Sequence, residues 1–131
     1  QNAVSTFKTP YKGELTFEEQ KELFDKVNVY PNPFFAYNPY YRYYSDNPSD
    51  AFIFFNNLPE EITIKIYSLS GTLIRSLNET DKREGSRSPF LQWDLKNENG
   101  RVVSSGVYLA IVSSPLFGEK VLKFSILTPK Q

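Results

Sequence analysis

The sequence predicts an all-β fold: an immunoglobulin-like antiparallel β-sandwich of about seven strands with a short N-terminal helix. From residue 27 onward, short segments alternate apolar and polar residues, as half-buried antiparallel strands do. Clusters of Gly, Pro, Asn and Ser separate these segments at spacings typical of a sandwich, and no second helical segment interrupts them. We therefore expect an arm and a helix over residues 1–26, and a sandwich over 27–131 with an aromatic insertion at 34–50.

The N-terminal region predicts an extended arm followed by a helix. Residues 1–15 show no clear period, whereas the segment TFEEQKELFDK carries helix signals. Thr16 and Glu19 have the spacing of a capping box, in which the two side chains satisfy free backbone N–H groups. We expect a helix at 17–26. Its apolar stripe consists of Phe17, Leu23, Phe24 and Val27.

The strand region contains one clearly alternating segment and several shorter ones. Isoleucine occupies every second position of 62–66, which predicts a strand with one buried face. A hairpin is predicted around the Ser70–Gly71 turn, and the polar, charged residues 78–88 predict an exposed loop. The other strands are expected in VNVYPNPF, AFIFFNNLP, LIRSL, FLQWDLK, RVVSSGVYLAIVSS and KVLKFSIL.

The composition excludes several kinds of site. The chain has no Cys and no His, which removes disulfides, thiol chemistry, Ser–His or Cys–His catalytic pairs and the commonest metal ligand. Fifteen basic residues balance fifteen acidic ones, so the charge pattern of a nucleic-acid-binding protein is missing. No apolar run approaches the roughly 18 residues that a membrane helix needs. We expect no cofactor, no nucleic acid and no membrane span.

The chain also lacks Met, even at position 1. A chain that does not begin with Met indicates processing after translation or excision from a larger protein. A signal peptide removed before Gln1 would indicate export.

Structural roles are expected for the glycines and for most polar clusters. Gly71 and Gly106 are expected where φ is positive or backbones approach closely, in a hairpin turn and in a bulge. The oxygen donors of DLKNENG, residues 94–100, resemble a calcium loop, but Asn99–Gly100 accounts for them as a type I′ turn. The helix acids indicate a solvated face rather than acid–base catalysis. These acids are Glu18, Glu19, Glu22 and Asp25.

The most unusual segment is PNPFFAYNPYYRYYSDNP, residues 31–48. Seven of the eleven residues from Phe34 to Tyr44 are aromatic, and the prolines disfavour a regular helix or strand. Three interpretations remain open: the rings cover their own domain, form a protein interface, or stack on a carbohydrate. The candidate contact residues are Phe35, Tyr37, Tyr40, Tyr41, Arg42, Tyr43 and Tyr44.

Four segments in order resemble the C-terminal sorting domain of type IX secretion substrates: VYPNPF, FNNLPEEITIKIYSLSGTLIRSL, WDLKNENGRVVSSGVYLAIV and GEKVLKFSIL. They are also similar to the immunoglobulin-like domain of flagellar hook-cap proteins. The similarity covers residues 27–127; the aromatic insertion and residues 1–26 depart from the pattern. The matching residues are Tyr30, Pro31, Asn32, Pro33, Gly71, Trp93, Gly100, Gly106, Tyr108, Lys120 and Lys123.

The resemblance implies a non-catalytic sandwich that addresses an exported cargo to an outer-membrane translocon. In that family a sortase commonly removes the domain while linking the cargo to a surface lipopolysaccharide. The resemblance therefore implies a secreted or cell-surface location, reached through the periplasm, and translocon proteins as partners. Lys120 and Lys123 would contribute to recognition, although lysines on a last strand also discourage aggregation of strand edges.

Two alternatives do not depend on a translocon. One is a structural subunit of an extracellular fibre, in which identical chains join through the N-terminal arm and the aromatic insertion. The other is a carbohydrate-binding module that uses the aromatic rings.

Overall fold

The computed structural model describes residues 15–35 and 52–127. One α-helix, α1 (Phe17–Asp25), precedes the strands, and a 3₁₀ turn, Glu79–Asp81, follows the fifth strand. The described strands are β1 (Asn28–Tyr30), β2 (Phe34–Phe35), β3 (Ile53–Asn56), β4 (Thr63–Ser68), β5 (Leu73–Asn78), β6 (Leu91–Trp93), β7 (Gly106–Ser114) and β8 (Gly118–Leu127). Apart from the two-residue β2, these are the seven strands that the alternating pattern predicts.

The strands form two facing sheets. One has the order β1–β3–β6 and the other β2–β8–β7–β4–β5. Every pairing is antiparallel except that of β2, which lies parallel to the last residues of β8. The predicted antiparallel sandwich is therefore confirmed. Since β1 and β2 belong to different sheets, the short Pro31–Pro33 connection crosses from one layer to the other.

The helix begins where the capping box predicts. The Thr16 hydroxyl accepts a hydrogen bond from the Glu19 N–H at 3.1 Å, and the Glu19 carboxylate accepts one from the Thr16 N–H at 3.0 Å. Phe24 is 2% exposed and joins the core, whereas Phe17 is 52% exposed and lies against the Phe117 ring at 5.0 Å. The helix thus closes one part of the sandwich, but its predicted apolar stripe is only partly buried.

Alternate residues of each long strand fill the space between the sheets. The predicted buried faces of 62–66 and of 91–95 are confirmed, since the apolar residues at every second position are at most 1% exposed. The Trp93 ring lies edge-on to Phe124 at 6.4 Å, and the Trp93 indole N–H donates to the Lys96 carbonyl at 3.0 Å. Aromatic and branched aliphatic side chains therefore supply the core without a buried ion pair among the described residues.

The turn after β6 differs from the predicted type I′ turn. In a type I′ turn both central residues have positive φ, but of residues 97–100 only Gly100 does, at +81°. The Gly100 N–H donates to the Asn97 carbonyl at 3.0 Å, and the Asn97 N–H donates to the Arg101 carbonyl at 2.8 Å. This is a longer loop that ends in a left-handed glycine. The Asn99–Gly100 dipeptide fits both geometries, so the sequence alone favoured the wrong one.

Candidate interaction surface

Several residues of the sorting pattern gather at one end of the five-stranded sheet. Gly106 opens β7 opposite Ile126 of β8, and Phe34 of β2 pairs with the same Ile126. The Gly71 turn lies at this end too, because Ser68 at the end of β4 pairs with Tyr108. Other pattern residues lie elsewhere: Lys120 pairs with Val112 towards the opposite end, and Tyr30 and Trp93 belong to the three-stranded sheet. Residues that are far apart in sequence thus share one rim of the sheet.

Asn32 has a structural role in the PNP segment. Its amide Nδ2 donates to the Lys123 carbonyl at 3.2 Å, and its Oδ1 accepts from the Ser125 N–H at 3.3 Å. These two bonds imitate the pairing of a strand along the outer edge of β8. The peptide bonds before Pro31 and before Pro33 are both cis. Through its two hydrogen bonds, the Asn32 side chain covers the edge of β8 next to the residues that pair with β2.

Tyr108 has a structural role as well. Its ring is 5% exposed and stacks on Phe124 at 6.1 Å, while its hydroxyl donates to the Ser104 carbonyl at 2.5 Å. A tyrosine that bonds back to the backbone a few residues upstream is a recurrent corner device of immunoglobulin-like sandwiches. Burial raises the pKa of the Tyr108 phenol. The residue is placed to hold the corner rather than to meet a partner.

The two glycines of the pattern differ. Gly71 has φ +97°, and its N–H donates to the Ser68 carbonyl at 2.9 Å, so the predicted hairpin turn is confirmed. The expectation for Gly106 is wrong. Its φ is not positive, β7 pairs with β8 there without a register shift, and a Cβ added to it would meet only the Tyr108 ring, at 3.9 Å. The described residues impose no steric demand for glycine at 106.

The two lysines of the last strand, Lys120 and Lys123, have different surroundings. The Lys120 ammonium lies 3.6 Å from the Asp25 carboxylate of α1, at a partly exposed site. Lys123 is exposed, and among the described residues no carboxylate forms an ion pair with it. Because Asn32 and β2 already occupy the strand edge at 123–127, protection of an open edge does not explain Lys123.

The oxygen atoms of residues 94–100 are directed at the protein itself. Asp94 accepts from the Lys96 N–H at 3.1 Å, Asn97 accepts from two backbone N–H groups, and Glu98 accepts from the Ser76 N–H at 2.8 Å. Within 15–35 and 52–127, no group of three acidic side chains is arranged to hold a metal ion. The oxygen atoms of Asp94 and Asn97 therefore cap the turn, and the Glu98 carboxylate covers the edge of β5.

The proposed aromatic contact residues fall largely outside the described chain. Phe35 belongs to β2 and pairs through its backbone with Leu127. The other six candidates lie outside the described residues: Tyr37, Tyr40, Tyr41, Arg42, Tyr43 and Tyr44.

A groove on the outer side of the three-stranded sheet was not predicted. Its volume is about 330 Å³, and Tyr30, Phe54 and Gln92 line it from three paired strands, opposite Arg83 and Phe90. Tyr30 is 63% exposed although it belongs to the sorting pattern. The Arg83 guanidinium lies 4.7 Å from the centre of the neighbouring Phe52 ring. Only the pairing of β1, β3 and β6 brings these residues together, so no local sequence signal could identify the groove.

A buried lysine was missed too. Residues 78–88 were expected to form an exposed loop, yet Lys82 is 5% exposed. Its ammonium donates to the carbonyls of Pro59 at 2.7 Å, Glu60 at 3.1 Å and Ser86 at 2.7 Å. Burial lowers the pKa of Lys82 to about 8, while the charges of Glu60 and Glu79 act in the opposite direction. The side chain fixes the loop that carries Arg83 to the segment before β4.

The only described α-helix, α1, has nine residues, and the described chain contains no helix long and apolar enough to cross a membrane.

No protein-family model matches the sequence, and no curated protein matches it. Among solved structures, the chain is similar to part of PorZ, an essential bacterial surface component of the type IX secretion system of Porphyromonas gingivalis. The TM-score is 0.57 and the identity 25%, over 81% of this chain and 12% of PorZ. Dimeric latent PorU of the same organism shares 23% identity over 80% of this chain and 9% of its own, with a TM-score of 0.46.

CopC from Methylosinus trichosporium OB3b gives a TM-score of 0.43 at 15% identity, over 80% of this chain and 94% of CopC. The PorZ comparison is the one with a TM-score above 0.5 among these three, and the chain spans only about an eighth of that protein. This β-sandwich therefore resembles a small part of a bacterial surface protein of type IX secretion.

Proposed function

We propose that the chain is a non-catalytic sorting or surface-attachment domain of the type IX kind, recognised by proteins of an outer-membrane translocon. One observation carries the proposal: a sequence that resembles the sorting domain also folds like a small part of PorZ, a surface component of that secretion system. The function would place the domain on a secreted or surface-attached protein.

The arrangement of the pattern residues supports a role in binding rather than in catalysis. Asn32, Gly71 and Tyr108 have structural roles, whereas Tyr30 and Lys123 are exposed and no described contact requires them. The titratable groups whose pKa is shifted, Lys82 and Tyr108, both donate to backbone carbonyls within the fold. A recognition domain needs such a rigid frame with a few exposed side chains.

Export of a reporter tests the proposal. Residues 1–131 are fused to the C-terminus of a secreted reporter enzyme in a bacterium with a type IX system. We expect reporter on the cell surface or in the medium, and periplasmic retention in an isogenic strain without the translocon. Retention of the fusion in the wild-type strain would count against the proposed function.

The groove lined by Tyr30, Phe54 and Phe90 favours a second candidate, a carbohydrate-binding module. Exposed rings beside Gln92 and Arg83 combine stacking surfaces with hydrogen-bond donors, which is what sugar recognition needs. Affinity electrophoresis through gels that contain polysaccharides tests it. Retardation that Tyr30→Ala abolishes would support this candidate, and unchanged mobility across a broad panel would dispose of it.

The fibre-subunit alternative relies on the N-terminal arm and the aromatic insertion. Residues 1–14 and 36–51 lie outside the described chain, so no observation favours this alternative.

A further inference from the structure

Strand β7 is apolar on both faces. Its inward residues, Tyr108, Ala110 and Val112, are buried in the core. Its outward residues include Leu109 and Ile111. An antiparallel sheet with one solvated face usually alternates apolar and polar residues, and a strand that is apolar on both faces is typical of a sheet covered on both sides. The outer face of β7 therefore has the composition of a covered surface.

The neighbouring strands extend this apolar surface. Cross-strand pairing places Leu73, Tyr67, Leu109 and Lys123 in one row, and Ser76, Lys65, Ile111 and Val121 in the next. Directly paired residues of a sheet point to the same face, so these two rows form one continuous patch. We call it the outer patch. Its members are Lys65, Tyr67, Leu73, Ser76, Leu109, Ile111, Val121 and Lys123.

Among the described residues, parts of the outer patch are open to solvent. Val121 is 62% exposed and Leu73 is 46% exposed. Leu109 and Ile111 are half-buried, and neither belongs to the core or to the apolar residues that pack against it. Helix α1 packs elsewhere, against Phe117 and the core.

The two charged members of the outer patch are both lysines. The carboxylates at its border bond to other groups, Glu98 to the Ser76 N–H at 2.8 Å and Glu119 to the Ser113 hydroxyl at 3.4 Å. Lys65 and Lys123 are both exposed, and no carboxylate of the described residues pairs with either. Lys65 belongs to β4, which is paired on both sides, so the lysine cannot serve to protect a sheet edge. The residues paired with Lys65 are Ser76 and Ile111, not the acidic residues that would stabilise a solvated lysine across strands.

We propose that the outer patch is the docking surface for a protein of the export machinery, and that this partner presents aliphatic side chains flanked by carboxylates. The inference rests on the proposed function and names the surface that would perform it. Charge complementarity selects this occupant. Two-fold pairing with a second copy would bring lysines against lysines, and the terminal segments 1–14 and 128–131 are themselves basic, with Lys8, Lys12 and Lys130 against Glu14 alone. Segment 36–51 carries Asp46 and Asp50 against Arg42, and the first test below distinguishes cover by this segment from an open patch.

The first test asks whether the patch is open in the isolated full-length chain. Because the chain has no Cys, one introduced cysteine is the only thiol. We expect maleimide to label Val121→Cys nearly as fast as Asn99→Cys at an exposed loop tip, half-buried Leu109→Cys more slowly, and both much faster than Ala110→Cys in the core. Labelling of the patch cysteines as slow as that of Ala110→Cys would show that the chain's own residues cover the patch, and would overturn the proposal.

The second test measures export of the reporter fusion. The double variant Lys65→Glu, Lys123→Glu should reduce the exported fraction by about tenfold or more, since reversed charges at an interface repel the partner. Ile111→Thr should reduce it less. The control, Lys21→Glu with Lys26→Glu in and just after α1, makes the same change of net charge at exposed positions away from the patch and should be exported normally.

The outcomes of the second test are separable. If the wild-type fusion is not exported, the proposed function fails and the partner inferred here fails with it. If the wild-type fusion is exported and the folded double variant is exported equally well, the outer patch is wrong and the proposed function stands. Circular dichroism and the urea midpoint of each variant establish that it is folded.

Discussion

The loops at 79–88 and 94–101 have the same character in sequence but are held in different ways. Both are polar, charged and rich in turn-forming residues. In the second loop, Asn97 bonds to the backbone of Asn99 and Arg101. Exposed or partly buried bonds also join this loop to β5, from Arg75 to the Lys96 carbonyl and from the Ser76 N–H to Glu98. In the first, Lys82 reaches back to carbonyls of Pro59 and Glu60 and is buried. Composition therefore identifies a loop, but it does not reveal whether a buried charged side chain or bonds near the surface anchor it.

Among variants that test this comparison, Lys82→Met should cause the largest loss of stability. The change keeps most of the apolar stem but removes the donor of three backbone carbonyls. We expect a loss of about 1–3 kcal/mol in the free energy of unfolding, the usual cost of leaving buried polar groups unpaired. Urea denaturation measures it, with Lys21→Met on the exposed helix face as the matched control. A Met variant as stable as the wild type would mean that the distant anchor is dispensable.

The same lysine should make stability depend on pH. Its pKa is lowered to about 8 in the folded chain, against about 10.4 for an unperturbed lysine in the unfolded chain. Between these values the unfolded chain binds more protons, so the contribution of Lys82 to stability should rise as pH increases through that window. The difference in unfolding free energy between wild type and Lys82→Met, followed from pH 7 to above pH 10, isolates this contribution. A difference that stays constant or falls would contradict the shift.

Asn97→Ala should have a smaller and purely local effect. It removes the acceptor of the Asn99 and Arg101 N–H groups, which are exposed and can turn to water. We expect a loss of about 0.5–1.5 kcal/mol. Hydrogen exchange should accelerate at those two amides and remain unchanged at residues 82–88. Faster exchange in both loops would mean that they are coupled rather than independently anchored.

A pair of glycine substitutions gives the smallest effects. Gly100→Ala should destabilise the chain by about 1 kcal/mol because an L-residue is strained in the left-handed region, although no atom lies within 4 Å of the new methyl group. Gly106→Ala should be nearly neutral, since its φ is not positive and the nearest atom lies at 3.9 Å. Thermal unfolding of both variants checks the order. A larger loss at 106 than at 100 would show that position 106 is constrained by contacts outside the described residues.

Several features of the fold could be predicted because they depend on neighbouring residues. The capping box at Thr16, the turn at Gly71 and the alternation of 62–66 rely on backbone geometry within a few positions, and all three are confirmed. The site could be predicted only in part. The resemblance placed Asn32 and Tyr108 among the residues of the sorting pattern. Their bonds to Lys123, Ser125 and Ser104 show that both side chains stabilise the fold.

The sequence by itself determined the class of this protein. The period of its apolar residues and its turn signals are local properties, and they suffice for an antiparallel sandwich with a short capped helix. The tertiary structure alone decided which polar residues are buried, which edges are closed and which apolar residues share the outer face of the five-stranded sheet. The burial of Lys82, the bonds of Asn32 and the outer patch all depend on strand pairings and contacts between distant segments. The residue pattern of a single strand does not specify which strands will lie beside it.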